Sequence, residues 1–221
     1  MKLMQYKDYN HYVSAQIEAN KAKLAGVWAV KKEIIKISDY VKAYVPDCSF
    51  GICHGVRNGW EVKQFKALLN TDVIGTEISE TANQFEDVIQ WDFHKIKDEW
   101  IDNVDFIYSN SWDHSYDPPY CLDQWMKCIK PSGRCFIEWS IFHGEESVDE
   151  TDCFGASIEE YKKIINKKYQ MENIIEIRLS IMKQIVKHIL KYGISGILSI
   201  KRPKRFILVI KHKNHEETKN E

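Results

Sequence analysis

The chain has 221 residues, of which 44% are hydrophobic and 12% aromatic, and its formal net charge is −1. This length and composition predict one ordinary globular domain and argue against a disordered, fibrous or nucleic-acid-coating protein. Basic residues are concentrated between Arg178 and Lys213, a stretch without Asp or Glu. Two interpretations of this stretch stay open, a solvated lysine-rich face and a surface for an anionic substrate or membrane.

None of the six cysteines belongs to a Cys-x-x-Cys pair. This spacing predicts reduced thiols, with neither disulfides nor a zinc site. The start, MKLMQYKDYNHY, lacks the apolar core of a signal peptide, and no apolar run approaches the roughly 18 residues of a membrane span. We therefore expect a cytoplasmic protein without a membrane span.

The N-terminal region has the periodicity of helices. Apolar residues recur every three or four positions from Tyr6 to Leu24 and again from Val27 to Tyr44, and Pro46 ends the second series. Residues 1–46 are interpreted as a helical N-terminal extension.

After Pro46 the pattern changes to short apolar runs that alternate with helical stretches, which is typical of a parallel sheet covered on both faces. Predicted strands are 49–53, 72–76, 88–91, 104–108, 134–139, 173–179 and 206–211, and predicted helices are 60–69, 118–129 and 157–169. The fold class expected is α/β, with a Rossmann-like, doubly wound, mostly parallel sheet of seven strands. Residues 47–213 form this domain.

The last two predicted strands are separated by a basic insertion, residues 178–205. Its segment Ile181–Lys191 is amphipathic, and we interpret it as a helix that packs on the sheet, with a membrane-surface helix or a lid as alternatives. The adjacent KRPKR stretch at 201–205 could attract phosphate groups of a substrate. Residues 214–221 are a polar tail.

Three glycines, Gly51, Gly55 and Gly59, lie where the first predicted strand meets the first helix of the sheet region. Glycine allows positive φ and close approach of a ligand, and such a loop can receive a nucleotide. Glu77 ends the second strand and follows Gly55 by 22 residues. This is close to the spacing of about 20 residues at which an acid after a glycine loop binds ribose hydroxyls. Asp92 follows the third strand, so three consecutive strand ends carry suitable residues.

These features, together with the VDFIYSNSW and LDQWMKCIKPSGRCFIEWS stretches, resemble the class I S-adenosylmethionine-dependent methyltransferases from about Asp47 to Ser140. The last two strands resemble that family's closing antiparallel pair. The chain departs from the family at the end of its first strand, where an acid is replaced by Gly51 and Cys53. Nicotinamide binding is a rival use of the layout, but the sequence has no Gly-x-Gly-x-x-Gly.

The resemblance implies S-adenosylmethionine as cofactor. The strand-end residues Cys53, His54, His94 and His114 do not have the spacing of a zinc site, so no metal is expected. It places methionine contacts around Cys53 and Gly55, ribose contacts at Glu77 and adenine contacts at Asp92 and Phe93. The full set of cofactor-binding residues expected is Gly51, Cys53, Gly55, Asn58, Glu77, Ile78, Asp92, Phe93, Asn110 and Trp112.

Candidates for the chemistry follow the fourth and fifth strands. A histidine near its unperturbed pKa of roughly 6.5 suits a general base, and a carboxylate can orient it. We predict His114 as the base, supported by Asp113 and His143. The Asp-Pro-Pro-Tyr stretch at 117–120 spells a motif of amino-group methyltransferases but falls seven residues past the strand end, where prolines suit a first helical turn.

We therefore expect O-methylation of a small polar acceptor such as a sugar, with a phosphorylated molecule as an option. N-methylation of nucleic acid or protein is the less favoured alternative, and a non-catalytic binding protein with this fold is another. The oligomeric state is left open.

Overall fold

The computed structural model of the chain describes residues 1–178 and 204–213. The predicted basic segment Ile181–Lys191 and the tail 214–221 therefore lie outside the described residues. The boundary between an extension and a domain at residue 46 stays a prediction.

Helices cover α1 Tyr9–Ala22, α2 Lys31–Tyr44, α3 Trp60–Leu69, α4 Pro118–Cys128 and α5 Ile158–Lys168. Strands are β1 Lys2–Leu3, β2 Phe50–His54, β3 Asp72–Glu77, β4 Val88–Gln90, β5 Val104–Ser109, β6 Ile129–Ser140, β7 Phe154–Gly155, β8 Gln170–Arg178 and β9 Lys204–Lys211. Among the described helices, none combines the length and hydropathy needed to cross a bilayer.

Seven strands form one sheet in the order β4-β3-β2-β5-β6-β9-β8. β2 pairs in parallel with both β3 and β5, β4 pairs in parallel with β3, and β6 pairs in parallel with β5. β9 is antiparallel to β6 and β8. The sequence prediction of a mostly parallel seven-stranded sheet with a closing antiparallel pair is confirmed. Chain order reverses between β2 and β5, where open α/β sheets bind their ligands.

Helices cover both faces of the sheet, as the continuous apolar runs predicted. On one face, Leu122 and Trp125 of α4 and Ile165 of α5 pack with Ile52 and Ile107 of the sheet. On the other face, α2 and α3 pack on a second buried cluster that includes Ile34, Ile37, Val62, Phe65, Phe106 and Tyr108. α2 is therefore one of the helices that cover the sheet.

The start of β6 differs from the sequence prediction, whereas the start of α4 agrees with it. β6 begins at Ile129, five residues before the predicted start, because Ile129 pairs with Val104 ahead of an irregularity in the ladder. α4 begins at Pro118, and its N-cap Asp117 accepts a hydrogen bond from the Tyr120 backbone N–H. The Asp-Pro-Pro-Tyr stretch thus starts a helix, as its position predicted.

α1 lies across the carboxyl edge of the parallel strands. Tyr12, Gln16 and Asn20 recur every four residues and are all buried. The Tyr12 hydroxyl donates to the His114 carbonyl at 3.0 Å, and Asn20 Oδ1 accepts from the Thr81 hydroxyl at 2.8 Å. Because His114 and Thr81 follow different strands, α1 bridges the two sides of the edge.

A buried ion group ties the segment before α2 to the sheet. Arg205 of β9 contacts Glu33 at 3.0 Å and Glu138 at 3.4 Å, and it also donates to the Trp28 carbonyl. Its guanidinium lies 4.5 Å from the Trp28 ring centroid, and the Trp28 indole N–H donates to Glu138. Burial raises the pKa of Glu138 well above its usual value, and Glu33 adds to that shift. Arg205 therefore belongs to the buried core. It does not have the phosphate-binding role that the KRPKR stretch suggested.

We expect Arg205→Met to lower the free energy of unfolding by about 3–5 kcal/mol, because it leaves buried carboxylates without their cation. Urea denaturation measures the change. Adding Glu138→Gln to the same chain should recover part of the loss, since it removes one uncompensated charge.

The matched control is Arg178→Met on the neighbouring strand, where the exposed side chain pairs, among residues 1–178 and 204–213, only with Glu176. That change should cost less than about 0.5 kcal/mol. Equal losses for the two arginine variants would contradict the role given to Arg205.

Candidate functional site

The loop between β2 and α3 is built from three residues with positive φ. Gly55 has φ 70°, Arg57 has φ 51° and Gly59 has φ 71°. This conformation brings the Arg57 backbone N–H to Glu77 Oε2 at 3.0 Å. A glycine is required at position 55 for a second reason, because an added Cβ would lie 2.7 Å from the Ser111 Cβ. The loop therefore closes tightly around the end of β3.

Glu77 ends β3 and is buried, with an exposed fraction of 6%. Its other oxygen accepts a hydrogen bond from the Ser79 backbone N–H at 3.2 Å. Burial raises the pKa of Glu77, and the hydrogen bonds from the backbone of Ser79 and Arg57 act against that rise. The carboxylate is thus held in place by backbone donors that leave it further acceptor capacity.

Asp92 follows β4 and is held by two side chains. The Tyr9 hydroxyl of α1 donates to Oδ2 at 2.6 Å, and His94 Nδ1 lies 3.0 Å from Oδ1. Burial would raise the pKa of Asp92, but the hydrogen bonds from His94 and Tyr9 outweigh it and lower the pKa. Asp92 is therefore also a contact between α1 and the sheet edge, which sequence reasoning did not predict.

Between Glu77 and Asp92 lies a cleft of about 550 Å³, including its part open to solvent. Its walls come from α1 and from the ends of β2, β3, β4 and β5. It is lined by Tyr12, Gln16, Ala19, Asn20, Lys23, Gly55, Arg57, Glu77, Ile78, Asp92, Phe93, Ser111 and His114. We name it the first cleft.

A second cleft of about 1050 Å³, measured in the same way, adjoins the first. It shares Lys23, Gly55, Arg57, Ser111 and His114 with the first cleft. Its remaining lining residues are Gly26, Val27, Trp28, Val56, Glu61, Asn110, Asp113, Phe142, His143 and Asp152. The two clefts therefore adjoin one another at the end of β5.

The three predicted catalytic residues all line the second cleft. Asp113 and His114 lie in a 3-10 turn directly after β5, and His143 ends a similar turn after β6. His143 Nε2 lies 3.7 Å from Asp113 Oδ2. Burial lowers the pKa of His143, and the Asp113 carboxylate opposes that shift. The structure thus gathers these residues beside the part of the cleft shared with Gly55 and Ser111.

Glu61 is a buried acid of this site that sequence reasoning missed. It lies in the first turn of α3 with an exposed fraction of 5%, and Oε1 accepts a hydrogen bond from Asn110 at 3.3 Å. Oε2 has no hydrogen-bond partner among the described residues. Burial raises the pKa of Glu61 to about 7. Its signal in the sequence was an acid within a helical turn whose neighbours, Trp60 and Val62, are apolar.

Not every predicted cofactor contact reaches a cleft. Gly51 and Cys53 are internal to β2, and a Cβ on Gly51 would lie 2.2 Å from the Phe106 ring. Trp112 is fully buried and packs edge to face with Tyr161. Asn58 donates to the carbonyls of Leu24 and Gly26. The structure therefore corrects the placement of Gly51, Cys53 and Trp112, which belong to the core because their strand or turn faces inward.

Gly55, Glu77, Ile78, Asp92 and Phe93 do line the first cleft, and Asn110 lines the second. Sequence reasoning set aside a metal cluster of Cys53, His54, His94 and His114. In the described part of the chain, His114 instead lies close to Asp113 and Asp152.

No protein-family model and no curated protein sequence matches this chain. Solved structures do match its fold. The 1,6-didemethyltoxoflavin-N1-methyltransferase of Burkholderia thailandensis has a TM-score of 0.67 and 9% identity, covering 96% of this chain and 93% of that one. The geranyl diphosphate C-methyltransferase of Streptomyces coelicolor A3(2) has a TM-score of 0.63 and 10% identity, covering 91% and 98%.

A third match is the cyclase SpnF, with a TM-score of 0.57, 11% identity and 81% of each chain covered. At these identities the likeness concerns the fold alone. The chain has the fold of the class I S-adenosylmethionine-dependent methyltransferases. Because this fold also carries a cyclase, the reaction must be argued from the residues of the two clefts.

We expect Gly51→Ala to lower the free energy of unfolding by about 1–3 kcal/mol, because the added methyl group overpacks against Phe106. Urea denaturation measures this loss. In a Phe106→Leu background the same substitution should cost less, since the ring that it strikes is gone.

The control is Gly144→Ala, where the added Cβ would make an ordinary contact of 3.6 Å with the Ile141 carbonyl. We expect a change within about 0.5 kcal/mol. If Gly51→Ala were as harmless as the control, Gly51 would not be a packing residue.

Proposed function

We propose that this protein is an S-adenosylmethionine-dependent methyltransferase that methylates an oxygen atom of a small polar molecule. The observation that carries the proposal is that the two clefts adjoin and share Gly55, Ser111 and His114 in their linings. A cofactor in the first cleft and an acceptor in the second would meet at this junction. The first cleft lies at the reversal of strand order, where this class of sheet binds ligands.

The residues of the first cleft fit an adenosine. Glu77 retains acceptor capacity for two ribose hydroxyls, with Ile78 beside it, and Phe93 offers an aromatic ring next to Asp92. The Burkholderia and Streptomyces proteins that share this fold are both solved with S-adenosylhomocysteine. These facts support the same cofactor here. When bound, S-adenosylmethionine supplies an electrophilic methyl group.

Glu61 fits the methionine end of the cofactor. Glu61 lines the second cleft together with Gly55, Arg57 and Ser111, and its Oε2 is buried without a hydrogen-bond partner among the described residues. An unpartnered buried carboxylate is costly, and a cationic ammonium group is a partner that would relieve the cost. The family that the chain resembles has an acid at the end of its first strand, and β2 of this chain has none there. We assign the role of that acid to Glu61.

The second cleft fits a small acceptor with a flat face. Trp28 and Phe142 are partly exposed on its rim, with ring centroids 6.0 Å apart. Sugar rings and aromatic rings both pack on such side chains. The polar groups within reach are Asn110, Asp113, His114, His143 and Asp152.

The chain's own residues can position the acceptor oxygen and help to remove its proton. His114 Nδ1 lies 2.6 Å from the Thr151 carbonyl, to which it must donate. Its Nε2 is therefore the ring nitrogen that faces Asp113 and Asp152 in the second cleft. This is the nitrogen that a general base would use to accept the proton of the acceptor. α1 contributes Tyr12, Gln16, Ala19 and Asn20 to the wall of the first cleft.

Calorimetry with S-adenosylmethionine and S-adenosylhomocysteine tests the cofactor. We expect binding of both, and Glu77→Ala should weaken it by about 1–3 kcal/mol through the loss of buried hydrogen bonds to the ribose. Glu80→Ala, which removes an exposed acid three residues away, should leave the affinity unchanged. A folded protein that binds neither compound would overturn the proposed function and favour a non-catalytic binding protein.

The pKa of Glu61 predicts a pH dependence of cofactor binding. Because that pKa is about 7 in the free protein, the carboxylate is mostly protonated at pH 6 and mostly ionised at pH 7.5. An ammonium group binds the ionised form, so affinity for S-adenosylhomocysteine should rise about fivefold or more over this interval. Arg57 lowers this pKa and Glu33 raises it, both by less than burial does.

Calorimetry at several pH values measures this rise. Glu61→Gln should show weak affinity that does not depend on pH, since the group that titrates is absent. Equal affinity of the wild-type protein at pH 6 and 7.5 would remove Glu61 from the cofactor site without affecting the Glu77 test.

A further inference from the structure

Three side chains on the wall of the second cleft bring metal-binding atoms together. Those of Asp113, His114 and Asp152 all lie within 4.8 Å of one another. His114 Nε2 is 3.4 Å from Asp152 Oδ1 and 4.0 Å from Asp113 Oδ1. Asp113 and His114 follow β5, whereas Asp152 lies in the loop before β7, so the fold and not local sequence assembles the group.

His114 is held in the state that a metal ligand requires. Its Nδ1 faces two oxygens that only accept, the Thr151 carbonyl at 2.6 Å and Gln16 Oε1 at 3.1 Å. Gln16 is itself oriented, because its amide nitrogen donates to the carbonyls of Glu150 and Thr151. Nδ1 therefore carries a proton, and Nε2 is the ring nitrogen that a metal ion can bind. A backbone carbonyl that fixes the ring in this way is typical of metal-bound histidine.

Asp113 supplies a buried oxygen without a partner. Its side chain is 6% exposed, and Oδ1 makes no hydrogen bond within the described residues. Oδ2 faces His143 Nε2, and His143 Nδ1 accepts from the Ser140 backbone N–H, which leaves the proton on Nε2. His143 thus orients Oδ2 of Asp113, while Oδ1 lies on the side of His114 and Asp152. A buried acceptor without a hydrogen-bond partner indicates that another group binds there.

Charge balance also calls for a cation. The group contains two carboxylates, and their ion-pair partners among residues 1–178 and 204–213 are histidines. Lys23 lines the same cleft but lies beyond ion-pair distance of both carboxylates. A divalent ion would neutralise Asp113 and Asp152 together.

We propose that Asp113, His114 and Asp152 bind a divalent transition-metal ion such as Mn²⁺ or Zn²⁺. One imidazole and two carboxylates form a donor set that suits these ions, whereas Mg²⁺ and Ca²⁺ prefer oxygen ligands alone. Three protein ligands leave positions open for water or for an acceptor oxygen. His114 is then a metal ligand in place of the predicted general base, and the prediction of no metal is revised.

The role of this ion in catalysis rests on the proposed function, although its binding does not. An acceptor hydroxyl bound to the ion would have a lowered pKa and lose its proton to water in the open cleft. The oxygen lone pair would form the new bond to the methyl carbon, and the carbon–sulfur bond would break with its electrons left on sulfur. The step therefore needs no other reactant.

The test is calorimetric titration of the chelator-treated full-length protein with MnCl₂, ZnCl₂ and MgCl₂. We expect one ion per chain and tighter binding of Mn²⁺ and Zn²⁺ than of Mg²⁺. Asp113→Asn, His114→Gln and Asp152→Asn should each weaken binding by about 100-fold, since loss of even an outer partner of a metal ligand costs about 10–100-fold. Co²⁺ adds a visible absorption band that should disappear in the His114 variant.

The matched control is Glu150→Gln, which removes an exposed charge two residues from Asp152 but no ligand atom. Its metal affinity should stay within about twofold of wild type, and Asp152→Asn, at a partly exposed position, should remain folded by circular dichroism. Unchanged binding in the three ligand variants would overturn the site.

Metal and cofactor binding can fail separately. A protein that binds S-adenosylhomocysteine but neither Mn²⁺ nor Zn²⁺ at millimolar concentration would overturn the metal site and leave the proposed function in place. A protein that binds the ion but no cofactor would support the site and overturn the proposed function.

Discussion

The shape of the second cleft depends on the ion group around Arg205. Glu33 and Glu138 are buried, and their removal from water is offset only because Arg205 lies between them. Glu33 belongs to the first turn of α2 and accepts a hydrogen bond from the Val30 N–H, so the charge group also fixes the start of that helix. Trp28 precedes it and packs on the guanidinium. A wall of the cleft is therefore set by the core.

The local part of this architecture was predictable from the sequence. β2, β3 and β5 are short apolar runs, and each ends at the residue types that a ligand site needs, so Gly55, Glu77 and the turn after Ser109 could be located from pattern alone. Because the carboxyl ends of parallel strands share one edge, the prediction that these residues converge needed only the fold class.

The remaining residues could not be predicted, because distant segments place them. Gln16 and Asp152 reach the site from α1 and from the loop before β7, and Glu61 reaches it because the first turn of α3 points back to Asn110. The local sequences of Gln16 and Asp152 do not differ from those of an ordinary surface helix or loop, and Glu61 is marked only by its apolar neighbours Trp60 and Val62. Gly51 failed as a prediction for the opposite reason, since a glycine in a strand serves a neighbouring ring as readily as a ligand.

The acids of the two clefts explain why both S-adenosylmethionine and a divalent metal ion would bind. Glu77 and Asp92 line the first cleft, Glu61, Asp113 and Asp152 line the second, and Lys23 and Arg57 line both. Such a field attracts a cation, and the cofactor carries its positive sulfonium only until the methyl group leaves. Acids beside the acceptor would therefore favour the charged cofactor before transfer more than the transition state, which slows the reaction. A metal ion between Asp113 and Asp152 would cancel that part of the field while the acids of the first cleft continue to hold the cofactor.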